Sequence, residues 1–153
     1  MFRKSLIAVM FSLIMAMVLG TSVFAQTDIP PVEYDETKEM TPEIASIIKD
    51  IEKANLKIYT EIFKIQEKTA EMYSKYLEQV AKAENKEQKL ALWEEYDAKV
   101  NDTISKLDLK TQNITNKEVE KALNAGVNVE VVWICVEFAD RKAWIDPMVG
   151  VGW

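Results

Sequence analysis

Residues 41–83 read TPEIASIIKDIEKANLKIYTEIFKIQEKTAEMYSKYLEQVAKA. Thr41 offers a hydroxyl N-cap, Pro42 suits the first helical position, and Glu43 sits at the positive end of the helix dipole. Ile44, Ile48, Ile51, Ile58, Ile62, Ile65, Met72 and Tyr76 then recur at spacings that sum to whole heptads, with Asn55 and Thr69 in the remaining seam positions. This spacing predicts one long, coiled-coil-like helix of about eleven turns ending near Ala83.

The pattern resumes at once. Asn85 is a second N-cap, with Gln88 in the capping-box position. Leu90, Trp93, Val100, Ile104, Leu107 and Ile114 continue the seam, interrupted by Asp97 and Thr111. Two long helices of matching period joined by a short connection predict an antiparallel hairpin. Thr115 with Glu118 reads as a fresh capping box, and Val119 falls out of step with Ile114. A break at Thr115 and a separate short helix stopped by Gly126 are therefore expected. The polar seam residues Asn55, Thr69, Asp97 and Thr111 are expected to face solvent at the rim of a two-helix packing; the alternative is a buried role in fixing register.

From Val127 the period changes. Val127, Val129, Val131 and Trp133 alternate with Asn128, Glu130, Val132 and Ile134, a run rich in β-branched residues. Ala139-Asp140-Arg141 predicts a tight turn and residues 142–145 a returning strand, which Pro147 limits to an edge or ends. The tail from Met148 to Trp153 either adds a third strand or crosses the helices. The fold class expected is α+β, mainly α: a helical hairpin, a short helix and a C-terminal β-hairpin.

Towards the N-terminus, Phe2-Arg3-Lys4 precedes an apolar run from Leu6 to Leu19, and Val23-Phe24-Ala25 fits a signal-peptidase site. Residues 1–25 are thus expected to be a cleavable signal peptide, since 14 positions fall short of the about 20 that a spanning helix needs. Residues 26–40, with Pro30-Pro31 and scattered carboxylates, read as a flexible acidic leader. Residues 41–126 then hold the helices and 127–153 the β-unit. Cleavage leaves an extracytoplasmic product, periplasmic or secreted, with no later segment apolar enough to span a membrane.

The chain carries a net charge of −6, and loss of Arg3 and Lys4 with the signal makes it −8. That balance argues against nucleic acid, which needs a surplus of Lys and Arg, and points to a protein partner that is basic if charged. Histidine is absent from the sequence, which removes the commonest general base and transition-metal ligand. Glu94-Glu95 with Asp97, and Glu67 with Glu71, read as solvated helix faces, and no phosphate loop or calcium loop occurs. A looser oxygen site near Asp140 and Asp146 is the remaining metal candidate. Cys135, alone in an apolar stretch, is expected to be a buried, inert thiol. No enzyme and no cofactor is expected.

One cluster stands out: Trp133, Trp144 and Trp153 fall close together beside Met148. Trp133, Trp144, Met148 and Trp153 are the candidate partner-contact residues, because tryptophan concentrates binding energy at contact centres. The competing expectation is that Trp133 and Trp144 close the core as a lid over the helices. The functional expectation is an exported, noncatalytic interaction protein, acting as an envelope adaptor, chaperone-like factor or structural component, with self-association as a further expectation. The alternative is a secreted inhibitor or effector that docks through its aromatic β-unit.

Overall fold

The computed structural model describes residues 32–34 and 39–152. The expected signal peptide, its cleavage site and Trp153 lie outside them. The elements run β1 (Glu33–Tyr34), α1 (Pro42–Lys82), α2 (Lys86–Asn124), β2 (Asn128–Val131), β3 (Ile134–Phe138), β4 (Arg141–Ile145) and β5 (Met148–Gly152). The fold is mainly helical α+β.

Both helices begin where their caps dictate. The Thr41 hydroxyl accepts from the Ile44 N–H at 3.2 Å, and the Asn85 side chain accepts from the Gln88 N–H at 2.8 Å. Gln88 reaches back to accept from the Glu84 N–H, one residue before the cap, a variant of the capping box that ties the connection to the helix start. With 41 and 39 residues, the helices are each about 60 Å long at 1.5 Å per residue. Lys110 pairs with Glu61 at 2.7 Å and Lys121 pairs with Asp50. Numbers rise along one helix as they fall along the other, which makes the pair antiparallel.

The break expected at Thr115 is absent: α2 runs unbroken to Asn124. It stops in a Schellman turn, with the Gly126 N–H bonded to Leu123 O and the Val127 N–H to Ala122 O. Gly126 holds φ at 75°, the left-handed value that the turn requires and that glycine adopts without a Cβ clash. Val127 and Ala122, both fully buried, make the apolar contact that accompanies the motif.

After the helices come two small sheets. One has the order β1-β5-β2, with β5 antiparallel to β2 and parallel to β1; the other is the β3–β4 hairpin. Residues 33–34, read from sequence as flexible leader, are thus a strand, and Val32 before them is buried in the core. The single strand expected from Val127 to Ile134 is two strands in different sheets, parted at Val132-Trp133. Val132 N–H bonds to Pro147 O at this crossing. The turn at Ala139-Asp140 joins β3 to β4 as expected, with Ala139 at φ 52°.

The core lies where the β-unit meets one side of the helices. Ile51, Ile58, Phe138, Ile145 and Met148 are its largest fully buried members. The polar seam residues are corrected here: Asn55, Thr69 and Thr111 are buried, and only Asp97 is partly exposed, at an ion pair. Thr69 and Thr111 donate to the carbonyls of Gln66 and Asp108 in their own helices, which lets a hydroxyl enter a seam without a distant partner.

Near the tip of the hairpin the β-unit no longer covers the helices. Leu90 and Trp93, expected in the seam, are exposed there, and the inward place goes to Tyr96. Tyr96 stacks on Tyr76 with ring centroids 4.7 Å apart and packs tilted against Tyr73 at 5.7 Å. No helix among the described residues is long and apolar enough to cross a membrane.

Candidate functional site

The β3–β4 hairpin turns one face to the helices and the other to solvent. Side chains alternate across a strand, so Val136 and Phe138 enter the core while Cys135 and Glu137 point outward. On β4, Ile145 is buried, and Lys142 and Trp144 are exposed. Trp144 pairs in register with Cys135, and Trp133 stands two positions before Cys135. Glu137 and Lys142, also in register, form an ion pair at 2.7 Å that borders the surface. Lysine holds the Glu137 carboxyl below its ordinary pKa.

Of the four candidate contact residues, Trp133 is 51% and Trp144 61% exposed, so neither is a core lid. Met148 is fully buried and belongs to the core, and Trp153 lies outside the described residues. Val132 and Cys135, which the sequence reading did not select, are exposed on the same unit. The expectation of a buried Cys135 thiol is therefore wrong. The missed signal was parity: Cys135 shares its odd position with Glu137, whose charge marks the solvent face, while Ile134, Val136 and Phe138 mark the other.

A set of polar bonds holds the β-unit at a fixed angle on the helices. Asn55 of α1 donates to the Met148 carbonyl and accepts from its N–H at 3.1 Å, acting as a neighbouring strand would. Gln66 donates to the Glu137 carbonyl at 3.0 Å, and Thr115 donates to the Asp146 carbonyl at 2.9 Å. Arg141 binds Asp97 and Asn101 of α2, each at 2.7 Å, while also pairing with Asp140 and lying 5.5 Å over the Tyr96 ring. The Tyr96 hydroxyl completes this knot by donating to Asp140 at 2.7 Å. Burial, followed by the Asp140 carboxylate, pushes the Tyr96 phenol well up. For Asp140, burial opposes ionisation, but Arg141 and Tyr96 outweigh it and hold the carboxyl below its usual range.

Asp146 is the exception. It is only 7% exposed, its Oδ1 has no hydrogen-bond partner, and burial, followed by its own backbone N–H acting in the opposite sense and the Asp108 charge acting in the same one, leaves its pKa raised. Asp140 is committed to Arg141 and Tyr96, so the two carboxylates do not form the oxygen site considered from sequence. Among the described residues no group of three or more Cys, Asp and Glu side chains is placed to hold a metal ion.

A raised carboxyl pKa in the fold works against stability once the unfolded chain can ionise. The penalty is absent below the unfolded value of 3.8, grows as pH rises through the folded value and then stays constant. Asp146→Asn, which removes the charge while keeping the shape, is expected to stabilise the protein at pH 7, with no gain near pH 3. Urea denaturation of both proteins at the two pH values checks this; an equal difference at both would show that the charge is not the cause.

No protein-family model, curated protein or solved structure matches this chain.

Proposed function

We propose that this chain is an exported, noncatalytic interaction protein whose β3–β4 outer face is the contact surface for a protein partner. In this role it serves as a cell-envelope adaptor, chaperone-like factor or structural component. The supporting observation is the exposure of Trp133, just before the β3–β4 hairpin, and of Trp144 on it, opposite the face that carries Val136, Phe138 and Ile145 into the core. An exposed tryptophan leaves a large apolar area in water, and covering it is favourable by about 25 cal/mol per Å². Placing two of them on a rigidly docked hairpin lowers the ordering cost that a flexible loop would add on binding.

The expected partner is a protein because indole faces with a charged border suit the mixed apolar and polar surface of another protein. The acidic balance of the chain favours a basic partner. The test is crosslinking capture from the native envelope, using material whose mass places its N-terminus at Gln26. Wild type is expected to capture one dominant partner, and the Trp133→Ala/Trp144→Ala protein at least tenfold less of it, with melting temperature unchanged. Undiminished capture by the double variant, or an uncleaved signal peptide on protein retained in the cytosol, would overturn the reading.

A further inference from the structure

On the side of the helices away from the β-unit the charge reverses. Asn55 and Thr115 face the β-unit; at 100° per residue, Lys53 and Lys57 of α1 and Lys106, Lys110, Lys117 and Lys121 of α2 lie about 160–240° round from them. These six lysines line an open groove of about 690 Å³ between the helices, in a protein whose net charge is −6. Its acidic members are Asp50 and Glu118, and Ala54, Leu109 and Ile114 give it an apolar floor.

The ion pairs divide the lysines. Asp50 pairs with Lys53 and Lys121, Glu118 also approaches Lys121, Glu61 takes Lys110, and Asp102 takes Lys106. Lys57 and Lys117 have no ion pair among the described residues, and they lie between the two interhelical bridges, Lys57 one turn from Glu61–Lys110 and Lys117 one turn from Asp50–Lys121. The bridges are 11 residues apart on α1, about 16 Å of helix. The centre of the groove therefore offers two uncompensated ammonium groups over apolar side chains, closed at each end by a salt bridge.

We propose that this groove binds a short, extended acidic peptide segment of a partner protein, with carboxylates on Lys57 and Lys117 and apolar side chains on Leu109 and Ile114. About five extended residues span the distance between the bridges. A dense polyanion or an anionic membrane fits less well, because the carboxylates at the groove and the acidic remainder of the protein repel it. An open trough also leaves a compact small molecule largely in water, whereas a peptide running along it covers the floor. The groove and the aromatic face are on opposite sides of the helices, so the two readings stand or fall separately.

The test is fluorescence anisotropy with a fluorescein-labelled five-residue peptide of alternating Asp and Leu, beginning and ending with Asp, against its Asn-for-Asp counterpart. The acidic peptide is expected to bind the wild-type protein, with affinity falling as salt rises. Lys57→Glu/Lys117→Glu is expected to weaken it at least tenfold, and Trp133→Ala/Trp144→Ala to leave it unchanged. Neither lysine supports an ion pair, so circular dichroism should report an intact fold; the milder Lys57→Gln/Lys117→Gln protein decides the matter if it does not. Absence of wild-type binding, equal binding of the Asn peptide, full binding by either lysine variant, or preference for polyphosphate or phosphatidylglycerol vesicles over the peptide would overturn the proposal.

Discussion

Phe138→Ala is expected to cost about 3–5 kcal/mol, the range for truncating a fully buried phenylalanine when its surroundings close only partly over the cavity. Phe138 has no exposed surface and ends β3 at the turn, where its ring joins the core that β3 and β4 share with the helices. The hairpin has one buried face, so its docking rests on few side chains: Val136, Phe138 and Ile145 with the partly buried Ile134 and Ala143. A domain of this size holds about 5–15 kcal/mol in total, so the loss takes a large share of its stability. The melting temperature should fall by roughly 9–25 °C, at about 3–5 °C per kcal/mol. Urea denaturation followed by tryptophan fluorescence gives the free energy. A cost below about 1 kcal/mol would mean that the hairpin is not held on the helices by its inner face.

The contrast with Trp144, one turn of chain away and in the same two-stranded sheet, shows what the sequence could and could not convey. The helices were legible because their signals are local: Thr41-Pro42-Glu43 and Asn85 with Gln88 cap backbone groups within four residues, and the period of the isoleucines needs no knowledge of the partner. The inner and outer faces of β2 were legible too, with Val127, Val129 and Val131 turned inward. Parity then reverses. Val132 and Trp133 are consecutive exposed residues where the chain leaves one sheet for the other, and after them the even positions face the core. Extending the alternation unchanged through this step groups Trp133 with the inward valines, in favour of the lid over the contact surface, and the apolar stretch around Cys135 conceals that its position faces solvent. Val132 and Ile134 are equally good strand residues and do not mark the step; the mark is charge, with exposed Glu130 at an even position before it and exposed Glu137 at an odd one after it.

Thr115 failed for a related reason. Thr-x-x-Glu has the same appearance whether the hydroxyl accepts from its own helix or donates to another element, and here it donates to the Asp146 carbonyl, 31 residues on. Likewise, the rotation of the α2 seam towards Tyr96 follows from a phenol that reaches Asp140, 44 residues away, and from the lack of any cover over Leu90 and Trp93 at the tip. Long-range polar partners decide these positions, and a periodicity count weighs only apolar character. The candidate site was legible in part: its tryptophans were found, but Met148 was grouped with them on sequence proximity and proves to be core.

Asn55 shows most directly how a polar seam residue specifies this fold. Asn55→Ala is expected to cost about 3 kcal/mol, because it leaves both the N–H and the carbonyl of Met148 without the partner they have in the buried interior, each at about 1–3 kcal/mol with some relief from water entry. An amide suits the place since it donates and accepts at once; no apolar side chain can, and the bond fixes the register of β5 against α1. Asn55→Asp separates the hydrogen-bonding role from shape. A protonated carboxyl can still donate to the Met148 carbonyl and accept from its N–H, whereas a carboxylate can only accept, and it would be buried and charged. Burial raises the folded pKa of such a carboxyl, so its stability is present below the unfolded value and lost as pH rises through the folded one. Asn55→Asp should therefore approach wild type near pH 3, with both proteins compared by urea denaturation at the same pH, and fall below Asn55→Ala at pH 7. A pH-independent deficit in Asn55→Asp would show that Met148 is not held by the donor and acceptor pair, and that the packing of β5 on α1 has another cause.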